Sequence, residues 1–138
     1  MKVLFYSDTV FSFGGVQRVL AEISKRLSKE MDVTILTSDY PFDASMYDYG
    51  HSNVKFEHIE FPKPFWGENL FCKGYSLLFK KLLPHTSVTS HGYALSSFLP
   101  TYRQILADKI NAGHYDVVVG VHAFQSLHIA AISHQIKA

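Results

Sequence analysis

The chain has 138 residues and a formal net charge of +1, and 47% of its residues are hydrophobic, which suits one domain with a buried core. A net charge close to zero argues against a dedicated nucleic-acid-binding protein, which usually carries a strong excess of basic residues. The single cysteine, Cys72, permits no internal disulfide, and no apolar run approaches the roughly 20 residues of a membrane-spanning helix. We therefore expect one cytoplasmic domain over residues 1–138.

The beginning of the chain predicts a βαβ unit. Short apolar runs with aromatic and β-branched residues predict strands over residues 2–8 and 32–38. Between them, apolar residues recur with the 3.6-residue period of an amphipathic helix over residues 16–29, which opens at Gly14 and Gly15. The apolar stripe of this helix consists of Val16, Val19, Leu20, Ile23 and Leu27.

The glycine turn suits a phosphate group. A helix N-terminus carries unpaired N–H groups and the positive end of the dipole, and Gly14 and Gly15 let a ligand approach the backbone and permit positive φ. Close packing of strand and helix is the alternative reason for glycine here. Arg18 is a further candidate for binding phosphate, with an ion pair to Glu22 as its alternative. The G-x-G-x-x-G fingerprint of dinucleotide-binding proteins is missing.

Two motifs in this unit point to a known family. The turn reads Gly14-Gly15-x-Gln17-Arg18, and the next strand reads Val-Thr-Ile-Leu-Thr from Val33. In this order, they resemble the start of the retaining, nucleotide-sugar-dependent glycosyltransferases of the GT-B fold, most closely glycosyltransferase family 4. In that family the Gly-Gly turn lies against the donor diphosphate and the transferring sugar. The resemblance therefore implies that Gly14 and Gly15 contact the donor.

The middle of the chain predicts a loop, a strand and a helix. Residues 38–53 are rich in Asp, Tyr, Pro, Ser and Gly, which indicates a loop, and residues 54–60 alternate as a strand with charges typical of a sheet edge. Residues 68–83 predict a helix with a broad apolar side and a narrow polar strip. The apolar side is Phe71, Tyr75, Leu78, Phe79 and Leu82, and the strip is Lys73, Ser76 and Lys80.

This helix has two interpretations. If it packs on the sheet, its lysines simply face water. In the second interpretation it touches an anionic membrane surface or a lipid-linked acceptor through Lys73, Lys80 and Lys81. The family resemblance favours the second, because such glycosyltransferases often act on lipid-linked acceptors through this part of the N-terminal domain.

The end of the chain predicts two helices around a buried strand. Residues 100–112 carry an apolar stripe with Pro100 in the first turn, and Gly113 fits the C-terminal cap. Residues 115–122 are a continuous apolar run of the kind found in a central parallel strand. Ser126 is the candidate N-cap of a last helix.

Together the elements predict a Rossmann-like, doubly wound α/β fold. About four parallel strands in the order 3-2-1-4 have helices on both faces. Because the chain direction reverses between strands 1 and 4, a ligand is expected in the crevice at their carboxyl ends. The loop over residues 7–15 meets His122 there, so His122 and Asp8 are candidate site residues. A histidine hydrogen-bonded at a strand end and an aspartate that forms a turn are the alternatives.

The resemblance implies specific roles for these two residues. Members of the family commonly keep a histidine just after the fourth strand, beside the transferred sugar, which makes His122 the candidate catalytic residue. Asp8 is a candidate for contact with the acceptor. The interval from Asp116 to His122 is six residues, one more than is usual in the family, so either the strand end bulges or another residue has this role.

The resemblance also implies an incomplete GT-B N-terminal domain. In the family this domain continues with further strands, and a second, C-terminal Rossmann-like domain carries most of the nucleotide contacts. We therefore expect the chain to be a fragment of a two-domain enzyme that is inactive alone. Its fourth strand would lie at an open edge, where we expect self-association.

The expected function is transfer of a hexose from a nucleotide diphosphate sugar to an envelope polysaccharide or a lipid-linked acceptor, peripherally at the inner face of the membrane. No cofactor or metal is expected besides the donor substrate, because H-E-x-x-H, H-x-H and cysteine clusters are missing from the sequence. Two alternatives stay open: a non-catalytic acceptor-binding subunit of a split glycosyltransferase, and a small doubly wound phosphate- or nucleotide-binding domain.

Overall fold

Parallel strands form the centre of the molecule. The strands are β1 (Lys2–Tyr6), β2 (Asp32–Thr37), β3 (Lys55–His58) and β4 (Val117–Gly120). The computed structural model describes residues 1–62, 66–82 and 99–137, without the side chains of residues 76, 79 and 80. The four strands pair in the order β3-β2-β1-β4, and all pairs are parallel. The predicted Rossmann-like α/β fold and its strand order are confirmed.

Helices cover both faces of this sheet. The described helices are α1 (Gly15–Leu27), α2 (Trp66–Leu82), α3 (Pro100–Gly113) and α4 (Ala123–Ile132), and a short 3₁₀ segment spans Met46–His51. The sheet is covered by α1 on one face and by α3 and α4 on the other. Successive side chains of β1 point to opposite faces. Val3 and Phe5 belong to the core beneath α1, whereas Leu4 and Tyr6 belong to the core beneath α3 and α4. Burial on both faces makes β1 the central strand.

The strand register brings three carboxyl ends to one edge of the sheet. Tyr6 pairs with Leu36 of β2 and with Gly120 of β4. Beyond the strands, the Ser7 amide donates to the Leu36 carbonyl and the Val121 amide donates to the Tyr6 carbonyl, both at 3.0 Å. The segments that follow β1 and β4 therefore emerge side by side.

The apolar stripe of α1 is only partly buried. Leu20 is buried against the sheet, whereas Val16, Val19 and Ile23 are 42%, 57% and 44% exposed. The three exposed residues line an open apolar groove of about 370 Å³ between α1 and β4, together with Val119. We call this feature the α1–β4 groove.

Two helix ends differ from the prediction. Gly113 is the last helical residue of α3, and His114 takes the left-handed cap position with a φ of 50°. Ser126 is not the N-cap of α4, because the helix begins earlier and the extended residue His122 is its N-cap. The Ser126 hydroxyl instead donates to the Gly120 carbonyl at 3.1 Å. The α4 helix therefore starts almost directly where β4 ends.

Most of the apolar side chains of α2 are exposed. Among the described residues, neither core cluster includes a residue of α2. A hydrogen bond of 3.2 Å from the Thr101 hydroxyl to Glu68 Oε1 links the helix to α3. In the described part of the chain, no helix combines the length and apolar character needed to cross a membrane. The exposed apolar residues of α2 are Trp66, Leu70, Phe71, Leu77, Leu78 and Leu82.

The open edge of β4 predicts self-association. Within the described residues β4 pairs with β1 alone, and Val117 at its start is 39% exposed beside unpaired backbone groups. We expect a second copy to pair along this edge. Val117→Lys should weaken the dimer by about tenfold in sedimentation equilibrium, the equivalent of about 1.4 kcal/mol. Ala112→Lys, at an exposed position of α3, is the control; a wild-type protein that stays monomeric at millimolar concentration contradicts the prediction.

Candidate functional site

A cavity of about 330 Å³ opens at the carboxyl ends of β1 and β4. Asp8 and Gly15 line it from the segment after β1, and His122 lines it directly after β4. The structure thus brings together residues that the predicted topology places in one crevice. The lining residues are Ser7, Asp8, Thr9, Gly15, Val16, Gln17, His122, Phe124 and Gln125.

Residues at the end of β2 hold the β1–α1 loop in place. The Asp39 Oδ2 atom accepts hydrogen bonds from the amides of Val10 and Phe11, at 2.6 and 2.9 Å. The Thr37 hydroxyl donates to the carbonyl of Asp8 at 3.1 Å. Hydrogen bonds to a carboxylate are stronger than bonds between neutral groups. The backbone that carries Asp8 is therefore fixed from the neighbouring strand.

The Gly14 amide already has a partner. It donates to the Tyr47 hydroxyl at 3.0 Å, and this hydroxyl donates to the Ser12 carbonyl at 2.8 Å. Gly14 has a φ of −174°, which is extended backbone, and no glycine among the described residues has a positive φ. The turn therefore does not use the positive φ that glycine permits. A side chain at position 14 would instead meet the end of the Gln17 side chain.

The start of α1 presents N–H groups to the cavity. No side chain caps the helix, and within the described residues the amides of Gly15, Val16 and Gln17 have no acceptor. All three residues line the cavity, and a Cβ atom at Gly15 would meet nothing within 4 Å. Because these N–H groups form the positive end of the helix dipole, this wall favours an anionic group.

The Asp8 carboxylate places a negative charge in the same cavity. It is half-buried, and its Oδ2 atom accepts a hydrogen bond of 2.6 Å from Gln125 Nε2. Nearby, the buried Tyr6 hydroxyl lies 3.2 Å from His128 Nδ1. Burial raises the pKa of Tyr6 well above its ordinary value, and the Asp8 charge adds to this effect. The Tyr6 phenol therefore stays neutral beside Asp8.

His122 is exposed on the cavity wall, and the end of β4 determines its position. Its ring stacks on Phe124 with the ring centroids 5.7 Å apart, and its carbonyl accepts the Ser126 amide at 2.9 Å. A Cβ atom at Gly120 would lie 2.5 Å from the Ser126 nitrogen. The first turn of α4 thus approaches the strand because position 120 has no side chain.

Arg18 lies apart from the cavity lining. It is exposed on α1, does not line the cavity, and forms no ion pair within the described part of the chain. Glu22, its expected partner, lies 3.6 Å from the Lys25 ammonium and 3.9 Å from the Arg26 guanidinium. The alternative of an Arg18–Glu22 pair is therefore not realised.

The predicted lysines lie on a different surface. Lys73 and Lys81 are exposed on α2 and do not line the cavity. The Lys80 side chain lies outside the described residues, although its backbone belongs to the same helix. Any contact of these lysines with an acceptor therefore involves a surface other than the cavity wall.

No family model, no curated protein and no solved structure matches this chain. Among the residues that the structure describes, no three His, Cys, Asp or Glu side chains come together as a metal site. The polar chemistry available in the cavity is that of helix N–H groups, one carboxylate, one imidazole, two amide side chains and the hydroxyl groups of Ser7 and Thr9.

Three residues that hold the site were not predicted: Asp39, Tyr47 and Gln125. The role of Asp39 could have been recognised from the sequence, because an acidic residue just after β2 lies beside the loop that follows β1. Tyr47 belongs to a loop segment with a φ of 54°, which the composition of the loop does not indicate. Gln125 bonds to a residue 117 positions earlier in the chain, and no local pattern encodes that contact.

The two hydrogen bonds accepted by the Asp39 carboxylate should stabilise the loop between β1 and α1. Asp39→Ala removes the acceptor of two backbone amides, so the free energy of unfolding should fall by about 1–3 kcal/mol. Hydrogen exchange at the amides of Val10 and Phe11 should become faster. Asp43→Ala is the control, because the Asp43 carboxylate accepts hydrogen bonds from the amide and the hydroxyl of Ser45 in its own turn. Equal losses in the two variants would contradict this role.

Proposed function

We propose that the chain is the N-terminal, acceptor-side domain of a retaining hexosyltransferase that uses a nucleotide diphosphate sugar. The observation that carries this proposal is the shared cavity of Gly15, Asp8 and His122 at the carboxyl ends of β1 and β4. That edge is where open doubly wound sheets bind their ligands. The Gly14-Gly15-x-Gln17-Arg18 motif supplies the likeness to family 4 glycosyltransferases.

In this proposal the start of α1 stabilises charge on the departing diphosphate. Fixed N–H dipoles act on developing charge without reorganisation, which is an effective form of transition-state stabilisation. The amides concerned are those of Gly15, Val16 and Gln17, because the Gly14 amide donates to Tyr47. Gly14 then acts through the shape of the turn, and Arg18, outside the cavity lining, adds positive charge from the first turn of α1.

His122 contacts the transferred sugar or polarises the acceptor in this proposal. Its ring is exposed on the cavity wall and is held by stacking on Phe124. Asp8 accepts hydrogen bonds from hydroxyl groups of the acceptor. The nucleotide itself is bound mainly by a second, C-terminal Rossmann-like domain, and no cofactor or metal takes part.

The transfer reaction is tested in the protein translated from its entire reading frame. With uridine, guanosine and adenosine diphosphate hexoses as donors and a membrane lipid extract as acceptor, one donor should be consumed. His122→Ala should lower turnover about 100-fold or more, the loss typical for a group that stabilises the transition state. His134→Ala, exposed and outside the cavity lining, is the control. If no donor is consumed, or if both variants lose activity equally, the proposal fails.

The two alternative functions predict different results, one in the consumption of donor and the other in nucleotide binding. A split enzyme's acceptor subunit consumes donor only when a separate donor-binding chain is added. A small phosphate- or nucleotide-binding domain binds the nucleotide with micromolar affinity in this chain alone, whether or not a hexose is attached.

For the acceptor, we propose contact with an anionic membrane surface through α2. Trp66, Leu70 and Leu77 are all more than half exposed, and Lys73 and Lys81 are exposed on the same helix. Amphipathic helices with Trp and Leu beside Lys bind the interface of anionic membranes. Lys73, Lys80 and Lys81 would attract the head groups, and in this proposal the protein lies peripherally at the inner face of the membrane.

The membrane contact is tested by the fluorescence of Trp66, the only tryptophan of the chain. Its emission should shift to the blue with vesicles that contain phosphatidylglycerol, and not with pure phosphatidylcholine. Lys73→Glu with Lys81→Glu should weaken partitioning by about tenfold or more, because each lysine near an anionic surface contributes about 1 kcal/mol. Lys29→Glu with Lys137→Glu, at two exposed positions outside α2, is the control. Equal partitioning into both lipids would refute the contact.

A further inference from the structure

The cavity has two features of opposite electrostatic character. The start of α1 provides the positive end of a helix dipole, through the amides of Gly15 and Val16. Asp8 provides a carboxylate, and among the described residues no Lys or Arg forms an ion pair with it. A ligand that satisfies both features carries an anionic group at one end and hydrogen-bond donors at the other.

Gln125 holds the Asp8 side chain. The Gln125 side chain is 4% exposed, and its Nε2 atom donates to Asp8 Oδ2 at 2.6 Å. The Thr37 hydroxyl holds the Asp8 carbonyl at 3.1 Å, so side chain and backbone are fixed separately. The orientation of a carboxylate held in this way is defined before a ligand arrives.

The same glutamine has an unused acceptor. Gln125 lines the cavity, and its Oε1 atom is buried without a hydrogen-bond partner among the described residues. A buried acceptor without a donor is unfavourable. The bond to Asp8 keeps the amide in this orientation, and a ligand hydroxyl that enters beside it would supply the missing donor.

We propose that Gln125 is a positioning residue that fixes the Asp8 carboxylate toward the cavity, where it accepts hydrogen bonds from hydroxyl groups of a sugar whose phosphate lies at the start of α1. The inference rests on the proposed function for the class of ligand, but it assigns Asp8 to the phosphate-bearing sugar instead of the acceptor, and it does not depend on the transfer reaction. It assigns one orientation to the ligand, because a phosphate beside Asp8 would be repelled.

The orientation is tested in the full chain by nuclear magnetic resonance, with α-D-glucose 1-phosphate as the probe. Inorganic phosphate and methyl α-D-glucoside are the reference probes. Glucose 1-phosphate should shift the amides of Gly15 and Val16 and the side-chain amide of Gln125. Inorganic phosphate should shift the first two alone. Shifts of the same residues by both probes would overturn the proposal.

A reciprocal exchange separates positioning from simple stabilisation. Asp8→Asn should weaken binding of glucose 1-phosphate by about tenfold, as for one lost hydrogen bond to a charged group. The double variant Asp8→Asn/Gln125→Glu keeps the net charge and restores the bond, since the new asparagine amide donates to the new glutamate carboxylate. Its unfolding temperature should recover, whereas its affinity for glucose 1-phosphate should not. Recovery of both quantities would reduce the pair to a structural role and overturn the proposal.

The chain contains a matched control pair. Gln104 Nε2 donates to Asp108 Oδ1 at 2.8 Å on the exposed surface of α3, away from the cavity. Exchanging these two residues should leave the affinity for glucose 1-phosphate unchanged. If the double variant at positions 8 and 125 does not fold, the proposal is tested on the unaltered protein. Nuclear Overhauser effects from the sugar ring protons to the Gln125 side-chain amide support the proposal, and effects confined to Gly15 and Val16 contradict it.

Discussion

The parallel pairing of β1 with both β2 and β4 determines where everything else in the molecule lies. Because all three strands run in one direction, their carboxyl ends meet at one edge, and the segments after them share that edge. Burial on both faces of β1 fixes this arrangement, since a shift by one residue would turn Leu4 and Tyr6 toward the wrong helices. The cavity is a direct result of strand register.

Hydrogen bonds between distant segments then convert this edge into a defined site. Asp39 holds the loop after β1, Tyr47 holds the amide of Gly14, and Gln125 holds the side chain of Asp8. Each of these contacts joins two segments that only the sheet brings together. The geometry of the cavity therefore depends on a 3₁₀ segment and on α4 as much as on the glycine turn.

The sequence predicted the features that depend on local patterns. Apolar runs located β1, β2 and β4, alternation located β3, and the order 3-2-1-4 followed from the rules for doubly wound sheets. The misplacement of the α4 cap shows the limit of such patterns. Ser126 has a capping side chain, yet His122 is the N-cap of α4, because the bare backbone of Gly120 lets the helix begin close to the strand. Local composition reveals neither the short distance between α4 and β4 nor the bond between Gln125 and Asp8.

The α1–β4 groove and the cavity share a wall, since Gly15 and Val16 line both. An apolar segment laid into the groove would remove water from one side of the helix end that faces the cavity. Charge interactions strengthen as the surrounding medium becomes less polar. A segment bound in the α1–β4 groove would thus change how strongly the N-terminus of α1 attracts an anion, without any movement of the backbone.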